Sequence, residues 1–579
     1  MEGSMKKTIL PEVASHGLTL VVVIMLVTAG CAGIGDSDST DEPGTDTPNG
    51  TDPAPITDPQ PTDTQPTDEP GTDTPNGTDP APITDPQPTD TQPTDDPGSD
   101  TPTPTRTPAG PPPDPPEDRL GWEGGYWYNE SVSVDRSDGL NQTELNAVVN
   151  RSMARVEQIR KLEFERSVPV NVVSREEFAA NTSTEYQNIS DRGRLFHLIR
   201  GESRFYINES QDPIDILQST QTGGIGGFYS PSEDRIAVIS ENTSTPKIDE
   251  LTLAQELFHA LQDQRFTEYV DLFSLDRRAI TSEEHNRIDA VVEGDGNYVE
   301  YLYKQRCGDD WNCLEPQEQP AGDVPDINVG LQVTSLVPYS DAVGFVQDLH
   351  EREGWEAVNA LYERPLNSTE PVIHPETFRQ DPPTNMTITD TSADSWDVLD
   401  RPNDSVGLGL LGTSASNMSF GEGGIFTMLW YPSFQETRAT GAPQDVVIRF
   451  RARYNVTPSG ELSSPDPYNY DHPASAGWDG DKLVPYVTDG SAETNETGYV
   501  WKTAWDSEAD ASEFMSAYKE LLTYYGGENV NGQESTYRIP EGKNSFADAF
   551  YVKQDGDTVI IVNAPTVDDL GNIHAPAGR

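Results

Sequence analysis

Basic residues are scarce in this chain. Over 579 residues, 38 Lys and Arg stand against 98 Asp and Glu, a formal net charge of −60. A surface of that sign repels phosphate backbones, which excludes nucleic acid as an expected partner. Cysteine is scarcer still, at three residues. No Cys-x-x-Cys spacing occurs among them, which argues against a zinc knuckle. Long apolar runs are missing as well. The run Leu18–Val27 falls well short of the ~20 residues that span a bilayer. Aromatic residues are absent between Cys31 and Trp122, so nothing in that stretch can bury a core.

The amino terminus carries instead the parts of an export signal. Lys6 and Lys7 supply its positive end, and the apolar run follows. Thr28-Ala29-Gly30-Cys31 resembles a lipobox, which implies cleavage after residue 30 and a lipid on Cys31. The alternative is an uncleaved anchor that contains a cysteine. Either reading makes the membrane a partner and places the remainder at the outer cell surface. Residues 31–117 read as a disordered Thr/Pro/Asp-rich stalk. Glu42–Asp68 recurs unchanged as Glu69–Asp95, and such a composition cannot offset the entropy of ordering. Asn-x-Ser/Thr acceptor patterns at Asn129, Asn141, Asn181, Asn242 and Asn455 suit an extracellular glycoprotein. The acidic balance, with aromatics at globular levels beyond Trp122, points to folding in concentrated salt.

From residue 118 onward the patterns alternate between helix and strand. Thr143–Lys161 has an apolar side made of Leu145, Val148, Val149, Met153, Val156 and Ile159. Val168–Val173 and Asp234–Ser240 read as strands, and Ser282–Gln305 as a long helix. Cys307 and Cys313 are close enough to form a small local disulfide. Tyr499–Ala504, Glu508–Tyr525 and a hairpin around Gln554–Asp557 read as a small C-terminal α/β unit. The expected class is α+β, with helices against a mixed sheet over residues 118–400 and the α/β region over 401–579. A boundary is placed between residues 380 and 420.

Chemistry concentrates on one helix. Leu253, Leu257 and Leu261 form an apolar stripe, and Gln255, Glu256 and His259 lie on another. The frame is that of His-Glu-x-x-His, where two imidazoles hold zinc and the glutamate activates water. Gln255 stands where the first imidazole would be. Together with Phe228–Pro231 and Val292–Asp295, this helix resembles a group of exported zincin-like proteins. Later blocks at Gly354–Tyr362, Asn367–Glu376, Gly477–Asp481 and Tyr499–Thr503 extend the resemblance over roughly residues 140–565. With the acidic surface, stalk and lipobox, the chain looks like a haloarchaeal surface-lipoprotein branch of that group.

The resemblance implies a zincin-like fold, Glu256 as the general base, and His259 and Glu293 as zinc ligands. Gln255 departs from it, and a neutral amide is a poor zinc donor beside imidazole. Zinc as a cofactor is therefore doubtful. His374 is a further histidine with two readings, a group reaching the site or a structural residue before Pro375. Three functions remain open. One is a surface lipoprotein that has lost protease activity and binds other surface components or extracellular polypeptides. Another is a working metallopeptidase with a non-standard site. The third is a plain surface glycoprotein.

Overall fold

A computed structural model describes residues 113–578, except 136, 179, 181–188, 223–226, 232, 241, 270–280, 315–326 and 401–417. The expected signal segment, Cys31 and the repeats lie outside the described residues. A short ribbon, β1 (Trp122–Glu123) with β2 (Tyr126–Trp127), leads into α1 (Gln142–Arg160). Asn141 and Glu144 form a capping box at its start, each side chain bonding the other's backbone N–H. Then come β3 (Val170–Val173), α2 (Asp191–Glu202), α3 (Pro213–Thr222), β4 (Gly227–Ser230) and β5 (Arg235–Ile239). Next are α4 (Glu250–Arg265) and α5 (Ser282–Lys304). The expected helices at residues 253–264 and 282–305 are both present.

β3, β5 and β4 form a mixed sheet in that order, with β3 parallel and β4 antiparallel to β5. The strand expected from Asp234–Ser240 is thus the central one, and β4 is the edge. The apolar stripe of α4 is fully committed. Leu253, Leu257 and Leu261 bury against Val148, Met153 and Val156 of α1 and Val299 of α5. Each such leucine is worth about 1.5–3 kcal/mol of burial.

The first turn of α4 is anchored by charge. Glu250 is buried and accepts from Arg151 Nη2 at 2.8 and 2.9 Å, Arg155 Nη1 at 2.7 Å and the Tyr303 hydroxyl at 2.6 Å. The Leu314 backbone N–H completes its shell at 2.6 Å. Cys307 and Cys313 are joined by a disulfide just beyond α5. The loop they close carries Trp311, whose ring lies 4.8 Å from the Arg155 guanidinium carbon. So short a loop adds only a few kcal/mol of entropic stabilisation at most.

The chain continues through α6 (Val329–Thr334), α7 (Asp341–Glu353), α8 (Trp355–Glu363) and α9 (Glu370–Ile373). After β6 (Asp397–Val398) and the buried α10 (Gly421–Thr440) come β7 (Trp478–Val487) and β8 (Thr497–Trp505). The last elements are α11 (Glu508–Tyr524), β9 (Glu528–Asn529), β10 (Thr536–Arg538), β11 (Ala549–Asp555), β12 (Thr558–Ala564) and α12 (Val567–Ile573).

β6 to β12 form one antiparallel sheet in the order β6-β7-β8-β12-β11-β10-β9. The expected hairpin is β11–β12, turning at Gly556 with φ 63°. The sheet around it is larger than the α/β unit expected from Tyr499, because β6 and β7 join upstream of β8. Two blocks singled out in the sequence meet at the start of α10. Asp481 accepts from the indole N–H groups of Trp478 and Trp501 at 3.2 and 3.0 Å. It also accepts from Ser419 Oγ and the backbone N–H groups of Phe420 and Gly421. One buried carboxylate therefore ties β7, β8 and the α10 N-terminus, where negative charge suits the helix dipole. The largest buried cluster runs from Phe178 to Ile561 and includes side chains from both sides of residue 400. The architecture is mixed α and β.

Candidate functional site

Gln255, Glu256, His259 and Glu293 are 2, 1, 3 and 0 % exposed. They lie in the interior, with the first three on α4 and the last on α5. His259 Nε2 is 3.5 Å from Glu293 Oε2. The imidazole fits because α5 carries Gly296 there: a Cβ at that position would stand 2.9 Å from His259 Cε1.

A chain of hydrogen bonds fixes the imidazole proton. Arg160 grips Asp295 with Nε and Nη2 at 3.0 Å each, both residues fully buried. The Tyr362 hydroxyl donates to Asp295 Oδ2 at 2.8 Å. Its oxygen is then the acceptor for Gln262 Nε2 at 2.6 Å, and Gln262 Nε2 also donates to the Val292 carbonyl at 2.9 Å. The remaining end of that amide, Oε1, can only accept, and it faces His259 Nδ1 at 2.7 Å. His259 therefore carries a proton on Nδ1 and turns Nε2 towards Glu293. An imidazole held through one nitrogen is in the tautomer that offers the other to a metal or a second proton.

Glu256 is held from the other side. Its Oε2 accepts from the Tyr229 backbone N–H of β4 at 2.7 Å. Its Oε1 and Gln255 Nε2 are buried without a hydrogen-bond partner. Burial, with the charge of Glu293, pushes Glu256 up to about 8 against the pull of His259. For His259 burial disfavours the cation, but the Glu293 carboxylate outweighs it and pushes the imidazole up to about 9. Burial and Glu293 also hold the Tyr339 hydroxyl protonated, well above the usual phenol range. The His259 imidazole and the Glu256 carboxyl are thus both shifted towards their protonated forms.

A zinc seat would draw on these same side chains. His259 Nε2 and a Glu293 oxygen, 3.5 Å apart, are good zinc ligands by type. A third strong donor is missing. Gln255 stands one turn before His259 and brings only a neutral amide, whose oxygen is a weak zinc donor beside imidazole. The set does not fit a three-ligand zinc centre, and no catalytic step through zinc is derived.

His374 is held elsewhere. Its Nε2 is 2.9 Å from Glu422 Oε1 at the start of α10. Burial opposes its charge, but the hydrogen bond and charge of Glu422 push it up to about 9. Because the folded value lies above the unfolded ~6.5, this stabilisation is complete below pH ~6.5 and is lost as pH rises through about 9. Between those limits His374→Gln is expected to remove on the order of 1–3 kcal/mol of pH-dependent stability. Unfolding midpoints of both proteins across that range check this; parallel pH profiles would count against it.

Sequence reasoning passed over Gln262, Tyr362, Arg160 and Asp295 as an orienting chain. Gln262 was accessible in principle, since it lies three residues after His259 on the same helix. The others come from α1, α5 and α8, and only the fold brings them together. A family model described as "Domain of unknown function (DUF8575)" matches residues 410–574. That span covers α10 and β7 to β12 but neither α4 nor α5. No curated protein matches the chain. No solved structure matches it.

Proposed function

We propose that this chain is a lipid-anchored cell-surface glycoprotein whose zincin-like region has lost proteolytic function and serves in binding or envelope organisation. One observation carries the reading: the position of the first zinc-binding imidazole is Gln255, buried, with its amide N–H2 unpartnered beside two good ligands. A working protease also needs its base and ligands open to a peptide, and here each of the four is at most 3 % exposed. Support for a zincin origin is the pairing of Glu256 with an edge strand and of His259 with a glutamate from the next long helix.

The test is metal content and peptide cleavage by the purified natural protein. Substoichiometric zinc and no chelator-sensitive cleavage are expected. Stoichiometric zinc with chelator-sensitive cleavage would promote the peptidase reading. The anchor has its own test, motivated by Thr28-Ala29-Gly30-Cys31. Cys31→Ser is expected to release the protein from membranes or leave its precursor uncut. Unchanged processing and unchanged membrane retention would rule out a lipid on Cys31.

A further inference from the structure

A second group of carboxylates lies far along the chain from Gln255. Glu202 ends α2, Glu209 follows it, and Asp548 directly precedes β11. One carboxylate oxygen of each lies within 4.8 Å of the other two. Glu202 and Asp548 are each 4 % exposed, and Glu209 is half-buried. Glu202 Oε2 accepts from Thr497 Oγ1 at 3.3 Å, but its Oε1 is buried with no hydrogen-bond partner. Asp548 Oδ2 accepts from Asn563 Nδ2 at 3.0 Å. The carbonyl oxygen of that same buried amide is also unpartnered.

Three carboxylates this close repel one another strongly once water is excluded. The neighbouring charges do not balance them. Arg538 of β10 draws on Glu209 and Asp548, but Glu496 adds another negative charge to both. We propose that Glu202, Glu209 and Asp548 bind one hard divalent cation, calcium by its ligand preference, and so fasten the end of α2 to the β8–β12 sheet. The donors are all oxygen, which suits calcium or magnesium and not zinc. Calcium accepts irregular sets of six to eight oxygens, and the half-buried Glu209 leaves a side from which water can complete the shell. The unpartnered Glu202 oxygen is a buried acceptor that a cation would satisfy. Protons are the competitor: burial, with the charge of Glu496, pushes Asp548 up to about 7, and burial, with Asp548 and Glu496, pushes Glu209 up to about 8.

The experiment uses the full chain, stripped with chelator and held at constant ionic strength with KCl. Calcium chloride is titrated calorimetrically, and thermal unfolding is followed in parallel. One saturable event is expected above the weak uptake of the acidic surface, together with a rise of several degrees in the unfolding midpoint. Glu209→Gln is expected to weaken that event at least tenfold while the protein still folds, because Glu209 is the least buried of the three. Asp548→Asn serves where E209Q does not fold. The proposal is overturned if the natural protein shows no calcium-specific event beyond matched KCl. It is equally overturned if the event survives unchanged in folded E209Q, or in folded D548N where E209Q fails.

Discussion

Gln255→His is expected to raise zinc affinity by at least ~100-fold, since loss of a mere outer-shell partner already costs 10–100-fold. The remaining parts of the seat are in place. His259 is held in one tautomer through Gln262, with Nε2 turned to Glu293 at 3.5 Å. Gly296 leaves room for the ring, and the Glu293 carboxylate is buried beside it. A histidine four residues before His259 adds the missing imidazole on the same helix face without lengthening the backbone. Zinc must displace the proton that His259 holds, so uptake should improve as pH rises. Metal analysis after dialysis against zinc, for natural and variant proteins side by side, reads the result. Equal and negligible zinc in both would show that the four side chains do not form a metal seat.

Glu250→Gln is expected to destabilise the protein by about 3–5 kcal/mol, the usual cost of stranding a buried charge. Arg151 and Arg155 both close on this carboxylate, and all three side chains are at most 1 % exposed. Burial already draws the Arg151 guanidinium below its ordinary range, and Glu250 is what offsets that. An amide keeps the shape but supplies no counter-charge for two guanidinium groups. The fall should appear in the denaturant midpoint and exceed that of an exposed pair such as Arg352 with Asp348. A change under ~1 kcal/mol would mean that water or another group compensates the arginines.

What was legible in the sequence was local. The stripes of α1, α4 and α5 follow from apolar residues at helical spacing, and β12 follows from its β-branched run. β7 was hidden by its own composition. Its run Trp-Asp-Gly-Asp-Lys-Leu-Val-Pro-Tyr-Val holds a glycine and a proline, both strand-breaking signals. The glycine sits at a bulge opposite β8, where a Cβ would meet the Thr384 carbonyl at 2.5 Å. α10 was hidden similarly, by three glycines and an internal proline, and tertiary burial overrides that poor propensity. In the site, the spacing of Gln255, Glu256 and His259 located one helix. The role of Asp295 was not legible, because Arg160 reaches it from 135 residues away.

The bond between Tyr229 and Glu256 has one more consequence. β4 is the edge of its sheet, and an edge N–H is ordinarily a docking point for another extended chain. Here the Tyr229 N–H is already taken by a carboxylate from inside the molecule. A peptide adding to this edge would have to displace Glu256 and leave a buried acid with neither oxygen satisfied. Strand addition at the Tyr229 position of β4 therefore carries that cost, for foreign polypeptides and for neighbouring copies alike.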